Sequence, residues 1–151
     1  MRAKWTLSTL TVITSFCFLS VAYGQDIEAL KVSFTAEIAA LSAKNLDGAV
    51  AEAHDDIVLF GVFSPFPIVG KEAFRQAVQE YFAEIGQPTF TPSDSEFGII
   101  GNTGVVWGSY QMTMQQPGDS PTSSQGRYIF TYAQADGKWK LLSMHISPLP
   151  E

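Results

Sequence analysis

Arg127, His145 and Ser147 are the side chains best placed by type and spacing to do chemistry. An arginine on an otherwise apolar strand is costly to bury without a partner, and the adjoining strand positions supply no carboxylate, which points to an anionic ligand. The alternative place for Arg127 is the start of its strand, with its head in solvent and its stem on apolar surface. His145, two residues before Ser147, can act as a general base or polarising donor, or as a buried imidazole satisfied by backbone. Trp107, flanked by Gly104 and Gly108, is a candidate floor for a flat ligand, with Tyr81, Phe60 and Phe63 as walls; each of these also serves as plain core.

The positions of these residues depend on a hairpin. Ala135-Asp136-Gly137 separates two runs rich in β-branched and aromatic residues, the pattern of strands joined by a three-residue turn with glycine in the left-handed position. That turn pairs Gln134 with Lys138, sets Arg127 opposite His145 and Ile129 opposite Ser143, and leaves Ser147 on the same face. A two-residue Asp-Gly turn sets Tyr128 opposite His145 instead.

Other chemistries lack their residues. The two histidines are far apart, no HExxH spacing occurs, and no glycine-rich motif opens a helix, so neither a metal nor a cofactor is expected. His54-Asp55-Asp56 reads as a surface turn, because consecutive residues point in different directions. Lys71 and Glu72 decorate the first turn of a helix. Arg2 and Lys4, an apolar run from Leu7 to Val21, and Ala22-Tyr23-Gly24 form a secretory signal peptide. Cleavage after Gly24 predicts a periplasmic or secreted protein with no membrane segment left. The single cysteine, Cys17, lies inside that segment after Phe16, which does not fit a lipoprotein signal, so neither a disulfide framework nor a thiol nucleophile is expected. Losing Arg2 and Lys4 takes the formal charge from −6 to −8, which argues against nucleic acid or anionic lipid as partner.

The elements that must hold the site follow in order. Asp26 caps a helix in which Ile27, Leu30, Phe34, Ile38 and Leu41 form one apolar stripe. Asp47 caps a shorter helix ending near His54, and Ile57 to Phe63 reads as a strand. After the Ser64-Pro65-Phe66-Pro67 loop and a short Ile68-Val69 strand, Gly70 opens a third helix, buried through Phe74, Val78, Tyr81, Phe82 and Ile85. Pro88 and Pro92 mark an edge or bent strand, Gly101-Asn102 a hairpin turn, and Thr103 to Gln116 a long strand. Helices first and antiparallel strands afterwards make an α+β domain over residues 25–151. Ile129, Thr131, Ala133, Trp139 and Leu141 fall on one face of the last hairpin, with Tyr128, Phe130, Tyr132, Leu142 and Met144 on the other. Two apolar faces and one layer of helices imply that the outer face packs on a second copy in an isologous homodimer; shielding by the loop around Ser64 to Pro67 is the alternative.

Gly70-Lys71-Glu72-Ala73-Phe74, Asp136-Gly137-Lys138-Trp139-Lys140-Leu141 and His145-Ile146-Ser147 resemble the NTF2-like superfamily, and within it the SnoaL-like proteins and the association domain of calcium/calmodulin-dependent kinase II. The resemblance implies a cone: three N-terminal helices packed on a strongly curved, mainly antiparallel sheet, a pocket open at one end, and a dimer through the outer sheet face. Pockets of the family host isomerases, cyclases, dehydratases and epoxide hydrolases, besides members with no known chemistry, and fold alone does not choose among them. The steroid isomerases and epoxide hydrolases share central carboxylates. Here none occurs in Thr103–Gln116, Ser124–Gln134 or Lys138–Pro148, which leaves His145 as the expected central base.

Three readings follow. The favoured one is an exported pocket protein that binds a small anionic or aromatic molecule through Arg127, His145, Ser147, Trp107, Tyr81 and Phe60. The second is a cofactor-free isomerase or hydrolase with His145 as its catalytic base and Arg127 stabilising an oxyanion. The third is an oligomerisation module with a filled pocket, which requires Trp107 and His145 to be enclosed.

Overall fold

A computed structural model describes residues 26–61, 65–84, 88–115, 118 and 120–150. The expected signal peptide, residues 1–24, lies outside the described residues, as do Phe63 and Ile85. Helix α1 covers residues 26–42 and buries Leu30, Phe34 and Ala40, with Ile38 and Leu41 packed partly against the core. Lys44, at φ 53°, turns the chain into α2, Leu46–Glu52. Asn45 caps α2, accepting from the Gly48 amide at 3.0 Å. Asp47, expected in that role, sits one turn position further on, where its charge favours the helix N-terminus and meets Arg75 Nη2 at 3.0 Å. Helix α3, Lys71–Glu84, follows Gly70 at φ 89°.

The strands are β1 (Ala53–Phe60), β2 (Ile68–Val69), β3 (Thr89–Ile100), β4 (Thr103–Met114), β5 (Thr122–Ala135) and β6 (Lys138–Pro148). They form one open sheet in the order β2-β1-β6-β5-β4-β3, antiparallel except for the parallel pair β1 and β6. Strand β1 starts at Ala53, paired with Leu141, so His54-Asp55-Asp56 is strand and not the expected turn. The register with β6 shifts between Ala53 and Val58, so these polar residues bulge between two paired points, and Asp55 meets Lys71 Nζ at 3.2 Å. Strand β3 is the far edge, as its prolines require, and it bends where the register shifts between Ser93 and Glu96.

The last hairpin departs from expectation twice. Its turn has two residues, Asp136 at φ 52° and Gly137 at φ 73°, and Ala135 pairs with Lys138. Both central residues are left-handed, the turn that matches the strands' own twist. Leu142 is then an extra residue on β6, between the Tyr132–Leu141 and Thr131–Ser143 pairs. Together these place Arg127 opposite Ser147 and His145 opposite Ile129, correcting the Arg127–His145 pairing while keeping both on one face.

The bulge also gathers the apolar residues. It lets Trp139, Leu141 and Met144 all point inward, beside Tyr128, Phe130 and Tyr132, although these six were divided between two faces by simple alternation. Phe34 of α1 stacks on Tyr128, with ring centres 5.7 Å apart, and stands edge-on to Phe97 and Phe130. Gly104 gives α1 its seat: a Cβ there would lie 2.8 Å from Leu30 Cδ2, so the glycine that was to open space beside Trp107 is filled from the opposite face. The outer face keeps one apolar row across four strands, Phe60, His145, Ile129 and Trp107 in register on β1, β6, β5 and β4.

Candidate functional site: a cavity inside the cone

Between α1, α3 and the concave side of the sheet lies a cavity of about 690 Å³. Its closed end is formed by Phe74, Val78, Met112, Phe130 and Met144, all buried. Its half-buried flanks are Ile38 and Leu41 from α1, Leu59 from β1, Phe90 from β3 and Ile146 from β6. The mouth carries the polar groups: Glu80 and Glu84 on α3, with Ser120 and Thr122 where the chain enters β5, are exposed. Met112, Met114 and Met144 all line it, so every methionine after the initiator faces this space. Thioethers on unbranched stems give a wall that adapts to the shape of its contents. Tyr81, half-buried, donates its hydroxyl to Met112 Sδ at 3.8 Å, and burial raises its pKa above the ordinary phenol value.

Of the residues expected to bind a ligand, Tyr81 alone lines this cavity. Arg127, His145, Trp107 and Phe60 are exposed on the outer face, and Ser147 is half-buried beside Arg127. Trp107 is 43% and Phe60 46% exposed, and the Phe60 ring stands 6.3 Å from His145. Apart from Tyr81, the expected binding set does share a surface, but it is the outer one and not the cavity. Parity explains this: inward positions of β5 are the even-numbered Gly126 to Tyr132, which places Arg127 outside. The same placement removes His145 as a central base. With Trp107 exposed and a cavity present, the filled-pocket module is also corrected.

Residues 28–151 match the SnoaL-like domain family. The chain belongs to it. No curated protein matches this SnoaL-like chain. Solved NTF2-like structures share its fold. A candidate calcium/calmodulin-dependent protein kinase II association domain from Xanthomonas campestris is 23% identical, with TM-score 0.72, over 81% of this chain and 86% of its own. A candidate dehydratase of the NTF2-like family from Streptomyces avermitilis is 15% identical, with TM-score 0.78, over 85% and 99%. A ketosteroid isomerase-like protein from Erwinia carotovora atroseptica is 16% identical, with TM-score 0.72, over 83% and 98%. At these identities the likeness is one of fold.

One ionisable residue inside this SnoaL-like cone escaped the sequence reading. Glu37 of α1 is fully buried, and among the described residues neither carboxylate oxygen has a hydrogen-bond partner; the Tyr132 hydroxyl is equally unpartnered there. Burial raises the Glu37 pKa to about 8, Glu52 pushes it the same way, and Lys140 opposes. Burial, then Glu37 and Glu52, raise the Tyr132 pKa well above the ordinary value. At neutral pH Glu37 is therefore mostly an uncharged acid. It is not among the cavity's lining residues. The signal was present in the helix pattern, since Glu37 falls three residues after Phe34 and four before Leu41, on the buried stripe.

Proposed function

We propose that the protein is an exported binder of a small, largely apolar molecule held inside the cone. The observation that carries this is the cavity: about 690 Å³, walled mainly by aliphatic, aromatic and methionine side chains, with exposed Glu80, Glu84, Ser120 and Thr122 along its lining. That volume falls in the range of about 300–1,000 Å³ usual for small-molecule sites. The aromatic half of the sequence expectation survives. The anionic half loses its support, because Arg127 and His145 face away.

Binding is preferred to catalysis for a chemical reason. The neighbours named as a dehydratase and as isomerase-like suggest proton transfer, which needs an acid or base beside the reacting atom. The carboxylates that line the cavity, Glu80 and Glu84, stand exposed at its mouth, whereas Phe74, Val78, Met112, Phe130 and Met144 at the closed end carry no transferable proton. Export rests on residues 1–24, and a mature mass beginning at Gln25 is the check.

The protein also pairs with a second copy through its outer sheet face. The row from Phe60 to Trp107 is flanked by Arg127 and by small hydroxyl residues, Ser109, Thr131, Ser143 and Ser147, and ends beside Glu96 of β3. In an acidic chain, a patch with apolar residues and no carboxylate at its centre is where two copies repel least.

Titration of the mature chain with N-phenyl-1-naphthylamine, a neutral probe that fluoresces in apolar surroundings, tests the binding reading. Saturable enhancement at one probe per chain is expected. Absence of saturable binding overturns it.

A further inference from the structure

We infer that the cavity selects an organic cation, an apolar body carrying an ammonium head, and discriminates against anions of the same body; this rests on the cavity being the ligand site. The apolar walls set the body. The head is set by the mouth. Helix α3 runs from buried Phe74 at the closed end to exposed Glu84 at the mouth, so its negative dipole end lies at the opening. No basic residue occupies its last turn. Glu84 ends the helix and Glu80 stands one turn before it, both lining the cavity.

For the helix alone this arrangement is unfavourable. Two glutamates spaced i,i+4 repel, and carboxylates belong at the opposite end of a helix. Among the described residues neither is in an ion pair, whereas Lys71 and Arg75 of the same helix pair with Asp55 and Asp47. The repulsion between the two carboxylates is relieved by no ion pair among the described residues, and a cation held at the mouth relieves it. Lys44 Nζ reaches the same end of α3, donating to the Phe82 carbonyl at 2.7 Å, but Lys44 is not among the lining residues. No lysine, arginine or histidine lines the cavity. Tyr81 also lines the cavity, with its hydroxyl on Met112 Sδ of the closed end, and adds an aromatic ring to the wall behind the two carboxylates.

The test displaces N-phenyl-1-naphthylamine with three ligands sharing one tail, decyltrimethylammonium, decanol and decyl sulfate, each below its micelle-forming concentration. The cation is expected to bind about five- to tenfold tighter than the anion, with decanol between. In Glu80→Gln/Glu84→Gln that preference should fall below about twofold, each ligand being compared within the same variant. Glu72→Gln/Asp136→Asn makes the same change of net charge away from the mouth and should leave the preference intact. Equal binding of cation and anion overturns the inference and leaves the apolar site standing, as does a preference that persists in the mouth variant or is lost equally in the remote one. If neither the probe nor any tail binds, the site itself is wrong and the inference falls with it.

Discussion

Glu37 is where a single residue departs furthest from what its surroundings favour. A carboxyl group on the buried side of α1, with unpartnered oxygens among the described residues, is held neutral by burial, with a pKa of about 8 against the ordinary carboxylate value of 4.5. Between those values the folded state binds more protons than the unfolded one. Its contribution is therefore fully present below about pH 4.5 and is lost as pH rises through about 8. The loss approaches about 1.4 kcal/mol per pH unit within that window. Glu37→Gln, which cannot ionise, should be the more stable protein at pH 8 and should flatten this slope; urea midpoints at pH 5, 7 and 9 measure it. Equal slopes in both proteins would place the pH dependence elsewhere. Glu37 was readable from helical spacing. Its lack of a partner was not, because that depends on β5 and α2 arriving beside it.

At the scale of elements, the stripe of α1, the bounds of α3 after Gly70, the edge position of β3 and the Gly101-Asn102 turn were all legible, since each rests on local periodicity or on the geometry of proline and glycine. The bulge at Leu142 was not. It depends on long-range pairing, and by shifting parity it moved Trp139 and Leu141 from the supposed outer set into the core. The hairpin turn and the seat of α1 on β4 each carry a prediction. Gly137→Val forces a β-branched residue into φ 73° and should cost about 1–3 kcal/mol in denaturant unfolding. Gly104→Val drives a side chain into Leu30 and should cost about 1–3 kcal/mol. In a double-mutant cycle with Leu30→Ala, the two changes should couple by at least about 0.5 kcal/mol if the contact is the cause. Simple additivity would mean that Gly104 matters through its backbone instead.

The whole molecule presents two surfaces that the sequence had merged. Arg127, His145, Trp107 and Phe60 do lie on one face, as period-two spacing required, and the cone turns that face outward. The interior is left to aromatic and methionine side chains. The outer row predicts self-association: Trp107→Glu, which brings a charge to a position 43% exposed, should convert a dimer to a monomer in light scattering without altering the circular dichroism spectrum. A wild-type monomer at micromolar concentration would contradict the dimer.

The central claim is that the ligand site is inside the cone, and one comparison of binding isotherms tests it. N-phenyl-1-naphthylamine is titrated into wild type, Ala77→Trp, which fills the cavity from α3, and Arg127→Ala/His145→Ala, which alters the outer face. The account predicts that Ala77→Trp, with its fold verified by circular dichroism, loses the probe while the outer-face variant binds it as tightly as wild type. Retained binding in Ala77→Trp together with loss in the outer-face variant would contradict it and return the site to Arg127 and His145.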